Sequence, residues 1–439
     1  MKRDLEAYLL RWKDQKNRMP LLLRGARQVG KSYIVEKLGK NHFSNYMVLN
    51  FEQHPEYSNC FKTLDPLKIL SMIELLMNVT IEIGNTLLFL DEVQECPQAI
   101  MALRYFKEQL PQLHIIAAGS LLEFVLNDEK FRMPVGRIQC LYLRPLSFGE
   151  YLDASGHNKL RNYLGTVDIT NPIEDVIHQK LLALVKEYIS LGGMPAVIAE
   201  YLETKNLLRC QDIQSSILLT FRNDFGKYAK KNSYSHLQTI FTKAPGLIAQ
   251  WLKYTKLDPN TPAQTLKNAL HKLCDAGLIT LVYATSANGL PFVSHMNEKK
   301  AKLLFLDIGL VKRACLLDLE LLLKEDLLLV NAGALAEQFV GQEFLAYMGK
   351  EAANHLFFWT REQKSSSAEV DYTITIGSSI IPVEVKAGST GTLRSLKIFL
   401  KEKKSPLGVR ISEKPLSLED QILSVPLYLI EHLPRLAKS

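Results

Sequence analysis

Membrane-length apolar runs, paired cysteines, internal repeats and low-complexity tracts are all missing from this 439-residue chain. No apolar stretch approaches the ~20 residues that a bilayer-spanning helix needs. The six cysteines (Cys60, Cys96, Cys140, Cys210, Cys274 and Cys315) are scattered and form no C-x-x-C pair. They read as reduced, mostly buried thiols in a reducing compartment. Asp4 and Glu6 stand where a signal peptide needs an apolar core, and Leu5, Tyr8, Leu9 and Trp12 fall instead on one helical face. The expected location is cytoplasmic, with no membrane partner. Neither charge sign dominates: the net charge is +7 and the pI about 8.9, compatible with nucleic acid or an anionic surface and establishing neither. Composition, at 47% apolar and 23% charged, is that of an ordinary globular protein. The length suggests roughly two to four domains.

What is present begins with Leu21-Leu22-Leu23-Arg24-Gly25-Ala26-Arg27-Gln28-Val29-Gly30-Lys31-Ser32. Leu21 to Leu23 read as a buried strand, and Tyr33 to Lys40 as a helix. Between them, Gly25, Gly30, Lys31 and Ser32 fit G-x-x-x-x-G-K-[ST]. A polyphosphate needs this order of elements. The glycines let backbone N–H groups turn inward around phosphate oxygens, and the helix presents its positive N-terminus. Residues 25–32 are therefore the expected ATP site, with Lys31 reaching the β- and γ-phosphates and the Ser32 hydroxyl ligating Mg²⁺.

Tyr46–Phe51 and Thr86–Leu90 read as further strands, and Leu67–Met77 and Ala99–Leu110 as helices. The strand Thr86–Leu90 ends in Asp91-Glu92, delivering two acids to its C-terminal edge, where ligands of an open α/β sheet sit. Asp91 is expected to hold the magnesium through water and Glu92 to polarise the attacking water. A strand at His114–Ala118 delivers Gly119-Ser120. Ser120 reads either as a sensor of the γ-phosphate or as a helix N-cap. Arg137 is read as a second phosphate sensor, acting in cis or from a neighbouring subunit, against the alternative of a salt-bridged surface arginine.

From about residue 150 the strand–helix alternation stops. Residues 174–228 look mainly helical, with a stop at Leu191-Gly192-Gly193-Met194-Pro195 that reads as a turn. Over 235–310, helices at Leu237–Phe241, Leu247–Tyr254 and Thr265–Ala276 precede a strand at Leu278–Tyr283, an Asn288-Gly289 turn and a strand near Phe292. That is the order of a winged helix. Lys267, Asn268, His271 and Lys272 would then face DNA, although such modules also contact proteins. Lys299, Lys300 and Lys302 read as a solvated face ahead of the strand Leu303–Leu306, which ends at Asp307. The leucine-rich residues 316–330 lead to a final module.

In that module Val370–Ile376 and Ile381–Lys386 alternate around a Gly377-Ser378 turn. A two-residue loop sets Asp371 opposite Glu384. Strict alternation puts Glu369, Asp371, Thr373, Glu384 and Lys386 on one face, and Val370, Tyr372, Ile374, Val383 and Val385 on the other. Opposed carboxylates repel unless a cation lies between them. The D-x(n)-E-x-K arrangement points to a metal-dependent nuclease, with Asp371 and Glu384 as metal ligands and Lys386 orienting or deprotonating water. Glu337, on a helix over Ala334–Met348 beside Val340 and Phe344, is a third expected ligand. The alternative is a salt-bridged hairpin in which Lys386 neutralises both acids.

Taken together these motifs resemble a family of bacterial and archaeal AAA-type ATPases whose core is followed by a C-terminal domain of unknown function with a PD-(D/E)xK nuclease-like end. The resemblance rests on residues 25–32, Leu-Asp-Glu-Val-Gln (90–94), Ala-Gly-Ser (118–120), Gly-Arg (136–137) and Leu-Arg-Pro-Leu-Ser-Phe-Gly-Glu-Tyr (143–151). It continues in Gly-Gly-Met-Pro (192–195), Phe-Leu-Asp-Ile-Gly-Leu (305–310), Ala-Glu-Val-Asp-Tyr (368–372) and Val-Glu-Val-Lys (383–386). It implies an α/β chain with an AAA-type P-loop NTPase core (1–150), a helical lid (151–234), a winged helix (235–310) and a restriction-endonuclease-like α/β domain (311–439). Two functions are carried forward. One is a Mg²⁺-dependent ATPase coupled to DNA. The other is a nucleotide-dependent switch for a protein partner or a homo-oligomer, with an inactive nuclease-like module.

Overall fold

The computed structural model describes residues 1–120, 122, 126, 136–228, 231–315, 332–347, 349, 355–361, 368–388 and 392–438. The leucine-rich stretch 316–330 and Met348 lie outside them. The chain forms two compact units, one chiefly of residues 1–144 and the other of nearly all the remainder.

The first unit is built on five parallel strands: β1 (Leu21–Arg24), β2 (Asn45–Asn50), β3 (Thr86–Asp91), β4 (His114–Ala118) and β5 (Gln139–Tyr142), in the order β2-β3-β4-β1-β5. Every residue of β3 and β4 is buried, as expected of parallel strands covered on both faces. Three helices supply that cover. Lys31–His42 buries Ile34, Val35 and Leu38; Pro66–Met77, capped where the Asp65 side chain accepts from the Leu67 N–H, buries Ile69, Leu70 and Ile73; Pro97–Gln109 buries Ile100, Leu103 and Phe106. Because all five strands are parallel, the ends of β1, β2, β3 and β4 meet at one carboxyl edge.

The second unit starts with helices and ends in one eight-stranded sheet. Its strands are β6 (Ile279–Thr285), β7 (Met296–Phe305), β8 (Leu356–Thr360), β9 (Glu369–Ile376), β10 (Ser379–Val385), β11 (Gly408–Ser412), β12 (Ser417–Glu419) and β13 (Ile422–Pro426), ordered β12-β13-β11-β10-β9-β8-β6-β7. The helix Ala263–Asp275 followed by the β6–β7 pair keeps the expected order of elements. The pair is not a free wing, however. β6 also pairs in parallel with β8, so residues expected to fall in separate domains share one sheet. The helix expected over Leu247–Tyr254 is absent: Ala249 has φ +60°, and Ile248 and Trp251 form bridges to Leu303 and Lys302 of β7. Phe292 lies in a 3₁₀ turn, with β7 starting at Met296.

Two family motifs with no chemical role in the sequence reading meet here as a buried clasp. Asp307 is fully buried; its Oδ2 accepts the Gly193 N–H at 2.6 Å, and its Oδ1 accepts the Leu310 N–H at 3.1 Å, capping the helix Ile308–Ala314. Gly192 has φ +74°, and a Cβ there would lie 2.1 Å from Asp307 Oδ1, so the Gly-Gly pair is more than a turn. A second clasp is Glu343, on the helix Ala332–Tyr347. It is 1% exposed, and both its oxygens lie 3.1 Å from the Phe148 N–H at the start of the helix Phe148–Ala154. Ser147 and Glu150 close a capping box on the same helix end.

Candidate functional site

The loop after β1 is shaped by backbone conformations that few side chains allow. Gly25 has φ +139°, and a Cβ there would lie 2.1 Å from the Leu143 carbonyl oxygen. Gly30, with φ +96°, leads into the helix that starts at Lys31. Gln28, also at positive φ, completes the turn between Ala26 and Val29, both buried. The loop thereby ends on a helix N-terminus, where N–H groups without helical partners point outward.

Lys31 is buried, and its ammonium donates to the Gly25 and Ala26 carbonyls at 2.9 and 2.8 Å. Burial pushes it down to about 8, with Glu92 and Asp91 opposing. A buried ammonium held by carbonyls, which leave its charge unpaired among the hydrogen bonds of the described residues, is suited to an anion. The Ser32 hydroxyl donates to Asp91 at 3.0–3.1 Å, and Asn50, at the end of β2, donates to Asp91 Oδ2 at 3.3 Å. Burial and the neighbouring Glu92 raise the Asp91 carboxyl above its usual range. A hydroxyl and a carboxylate side by side are the hard oxygen donors that Mg²⁺ takes, so these residues fit that ion.

Glu92 sits just beyond β3 in a left-handed conformation (φ +50°, ψ +46°), rarely tolerated without a reason. Its Oε2 accepts from Gln94 Nε2 at 2.7 Å. Among the described residues Gln94 Oε1 is buried without a hydrogen-bond partner, and a Cβ on Gly119 would lie 2.3 Å from it. Gln94 and Asn50 were given no role in the sequence reading. Gln94 carried a signal, since it falls within the 90–94 motif; Asn50 carried none beyond standing at a strand end. Ser120 is buried, and its Oγ accepts from Arg27 Nε at 3.2 Å, which brings the β4 tip to the loop. Arg137 is not brought there. It lies at the surface, 47% exposed, with Nε 3.0 Å from Glu108 Oε1.

The second constellation differs from its sequence reading. The β9–β10 register runs from Ser379↔Ile376 to Val383↔Tyr372 and ends there; just beyond it the Asp371 side chain accepts the Val385 N–H at 2.8 Å, and its charge acts on Glu384. Strict alternation fails, because the β8–β9 register shifts between Phe357 and Trp359. Val370 packs with Leu396 and Phe399, whereas Tyr372 reaches the helix Ala332–Tyr347, donating to the Glu337 carbonyl at 2.8 Å. Glu337 does join Asp371. The cation between them is Lys302, expected on a solvated face and in fact 2% exposed. Lys302 Nζ lies 2.8 Å from Glu337 Oε1, 2.6 Å from Glu369 Oε1 and 3.6 Å from Asp371 Oδ1. Among the described residues, Lys386 pairs with Glu384, at 2.6 Å. Burial pushes Glu337 up to about 8 and Glu384 up to about 7, and Asp371 adds to both.

Residues 17–152 match the family described as "AAA domain". Residues 182–321 and 332–430 match two described as domains of unknown function, DUF8612 and DUF4143. No curated protein matches the chain. Among solved structures, the Walker-type ATPase of Pyrococcus abyssi is similar at 13% identity and TM-score 0.45, over 72% of this chain and 95% of that one. Cdc6p from Pyrobaculum aerophilum is similar at 10% identity and TM-score 0.24, over 63% and 85%. AMPPCP-bound DnaA from Aquifex aeolicus is similar at 11% identity and TM-score 0.27, over 62% and 86%. The parallel sheet and the phosphate loop lie within the residues that match the AAA model, so the chain carries an AAA-type domain there.

Proposed function

We propose that the protein hydrolyses ATP with Mg²⁺ and couples turnover to DNA. The observation that carries the ATPase reading is the convergence of Lys31, Ser32, Asp91 and Glu92 at one sheet edge. Loop N–H groups and Lys31 would hold the β- and γ-phosphates. Ser32 and Asp91 would hold Mg²⁺, which would offset the charge of the phosphates. Glu92 would orient and polarise the attacking water, with Gln94 fixing its carboxylate. Ser120, through Arg27, would register the γ-phosphate. The DNA reading is supported by the helix Ala263–Asp275, which buries Leu266, Ala269, Leu270 and Leu273 and turns Lys267, Asn268, His271 and Lys272 the other way.

A second reading, a nucleotide-dependent switch for a protein partner, is favoured by Lys302. An acid cluster already filled by a lysine suits a module that binds rather than cleaves. Steady-state ATP hydrolysis with Mg²⁺ or a chelator, with and without duplex DNA, tests the choice. The ATPase reading expects Mg²⁺-dependent turnover that DNA accelerates. Slow turnover indifferent to DNA supports the switch, and no turnover in any arm rejects hydrolysis.

A further inference from the structure

We infer that Lys302 is the resident cation of the C-terminal acid cluster, standing where a divalent ion would have to sit between Glu337, Glu369 and Asp371. The lysine is fixed from several sides. Its Nζ lies within 2.8 Å of two carboxylate oxygens and 3.6 Å of a third, and 5.2 Å from the centre of the Phe358 ring. Its backbone bridges to Trp251, whose indole N–H donates to the second oxygen of Glu369.

Two further oxygens of the cluster are engaged as well. Asp371 Oδ2 accepts the Val385 N–H at 2.8 Å, and Glu384 Oε1 takes Lys386 Nζ at 2.6 Å. Among the described residues, Glu384 Oε2 is buried without a hydrogen-bond partner, and one such oxygen is too few for a metal. Among the described residues, no group of three or more His, Cys, Asp or Glu is arranged to hold a metal ion. Mg²⁺ demands oxygens at about 2.0–2.1 Å in near-octahedral order. An ammonium hydrogen-bonded to the same oxygens occupies that volume. The residues therefore do not fit the metal expected of Glu337, Asp371 and Glu384, and that disagreement is the content of the inference. It concerns the C-terminal cluster alone and stands or falls separately from ATP hydrolysis.

The lysine also explains why such a cluster is tolerated. Removing one partner of a buried ion pair leaves an uncompensated charge, which is strongly destabilising. A divalent ion admitted to the emptied position would replace the missing charge.

The test is thermal unfolding of the full-length, nucleotide-free protein with and without millimolar Mn²⁺. The wild type should melt at the same temperature in both. Lys302→Met should melt roughly 10 °C lower without metal, and Mn²⁺ should return much of that loss. Should Lys302→Met not accumulate folded, Lys302→Met with Glu337→Gln serves instead. Losing the acid with the base should restore a folded protein, and Mn²⁺ should raise its melting temperature through the remaining Glu369 and Asp371, a rise that the wild type does not show; no rise would overturn the inference. A wild-type melting temperature that Mn²⁺ raises, with the rise lost in Asp371→Asn, would overturn the inference. So would a Lys302→Met protein that melts like the wild type, or one whose loss Mn²⁺ leaves untouched.

Discussion

Glu343 gives the sharpest pH prediction. Its carboxyl is 1% exposed, receives the Phe148 N–H on both oxygens, and is faced by Glu431 and Glu150 as well as the Tyr347 hydroxyl. Burial is the main cause that pushes it up to about 8 from an ordinary value of 4.5, and the two acids add to the shift. An acid raised in the folded state binds its proton more tightly there than in the unfolded chain. Stability is therefore greatest below the unfolded value and falls as pH rises from about 4.5 through about 8. Three to four pKa units at about 1.4 kcal/mol each set an upper figure of about 5 kcal/mol for the loss. Glu343→Gln keeps the shape and an acceptor for Phe148 but cannot ionise. At pH 6, where the wild-type carboxyl is protonated, the two proteins should differ by about 1 kcal/mol or less. At pH 9 the variant should be the more stable by several degrees in melting temperature. Comparing wild type with variant at each pH cancels the other titrating groups. An equal gap at pH 6 and pH 9 would refute the reasoning, and Glu343 would then be a carboxylate that stays ionised in its pocket.

Two further outcomes concern function. Gln94→Ala should lower kcat for ATP while leaving nucleotide affinity unchanged, because Gln94 holds the Glu92 carboxylate; a matching rise in KM with kcat intact would show that it acts on binding instead. Replacing Lys267 and Lys272 together by alanine should weaken DNA binding and flatten its salt dependence by about two in the log–log slope. An unchanged slope would take that helix face out of the DNA reading.

The nucleotide site was legible because its signals are local. Gly25 to Ser32 is one contiguous turn, and Asp91-Glu92 needs only the strand before it. The same holds for the β9–β10 register, fixed by a two-residue loop and observed from Ser379↔Ile376 to Val383↔Tyr372. What escaped depends on distance along the chain. Lys302 meets acids 35, 67 and 69 residues away on two elements, and nothing local separates it from Lys299 and Lys300, which are not buried. The pairing of β6 with β8 is equally remote, so the β6–β7 pair read as a wing when it is part of a larger sheet. Ile248 and Trp251, spaced as on a helix face, bridge to β7, and only the positive φ at Ala249 reveals why no helix forms. The shift between Phe357 and Trp359 broke an alternation that β9 alone obeys. For Arg137 the sequence leaves two roles open, a phosphate sensor and a salt-bridged surface arginine, and the ion pair with Glu108 is the second.

The central claim is ATP hydrolysis at the edge formed by β1 and β3. Nucleotide binding and turnover, measured together with Mg²⁺ for wild type, Lys31→Ala and Glu92→Gln, test it most directly. The account predicts that Lys31→Ala loses binding, because the phosphate charge is no longer met, and that Glu92→Gln binds ATP while turnover falls roughly 10²–10⁴-fold. Turnover by Glu92→Gln equal to that of the wild type, or undiminished ATP binding by Lys31→Ala, would contradict it.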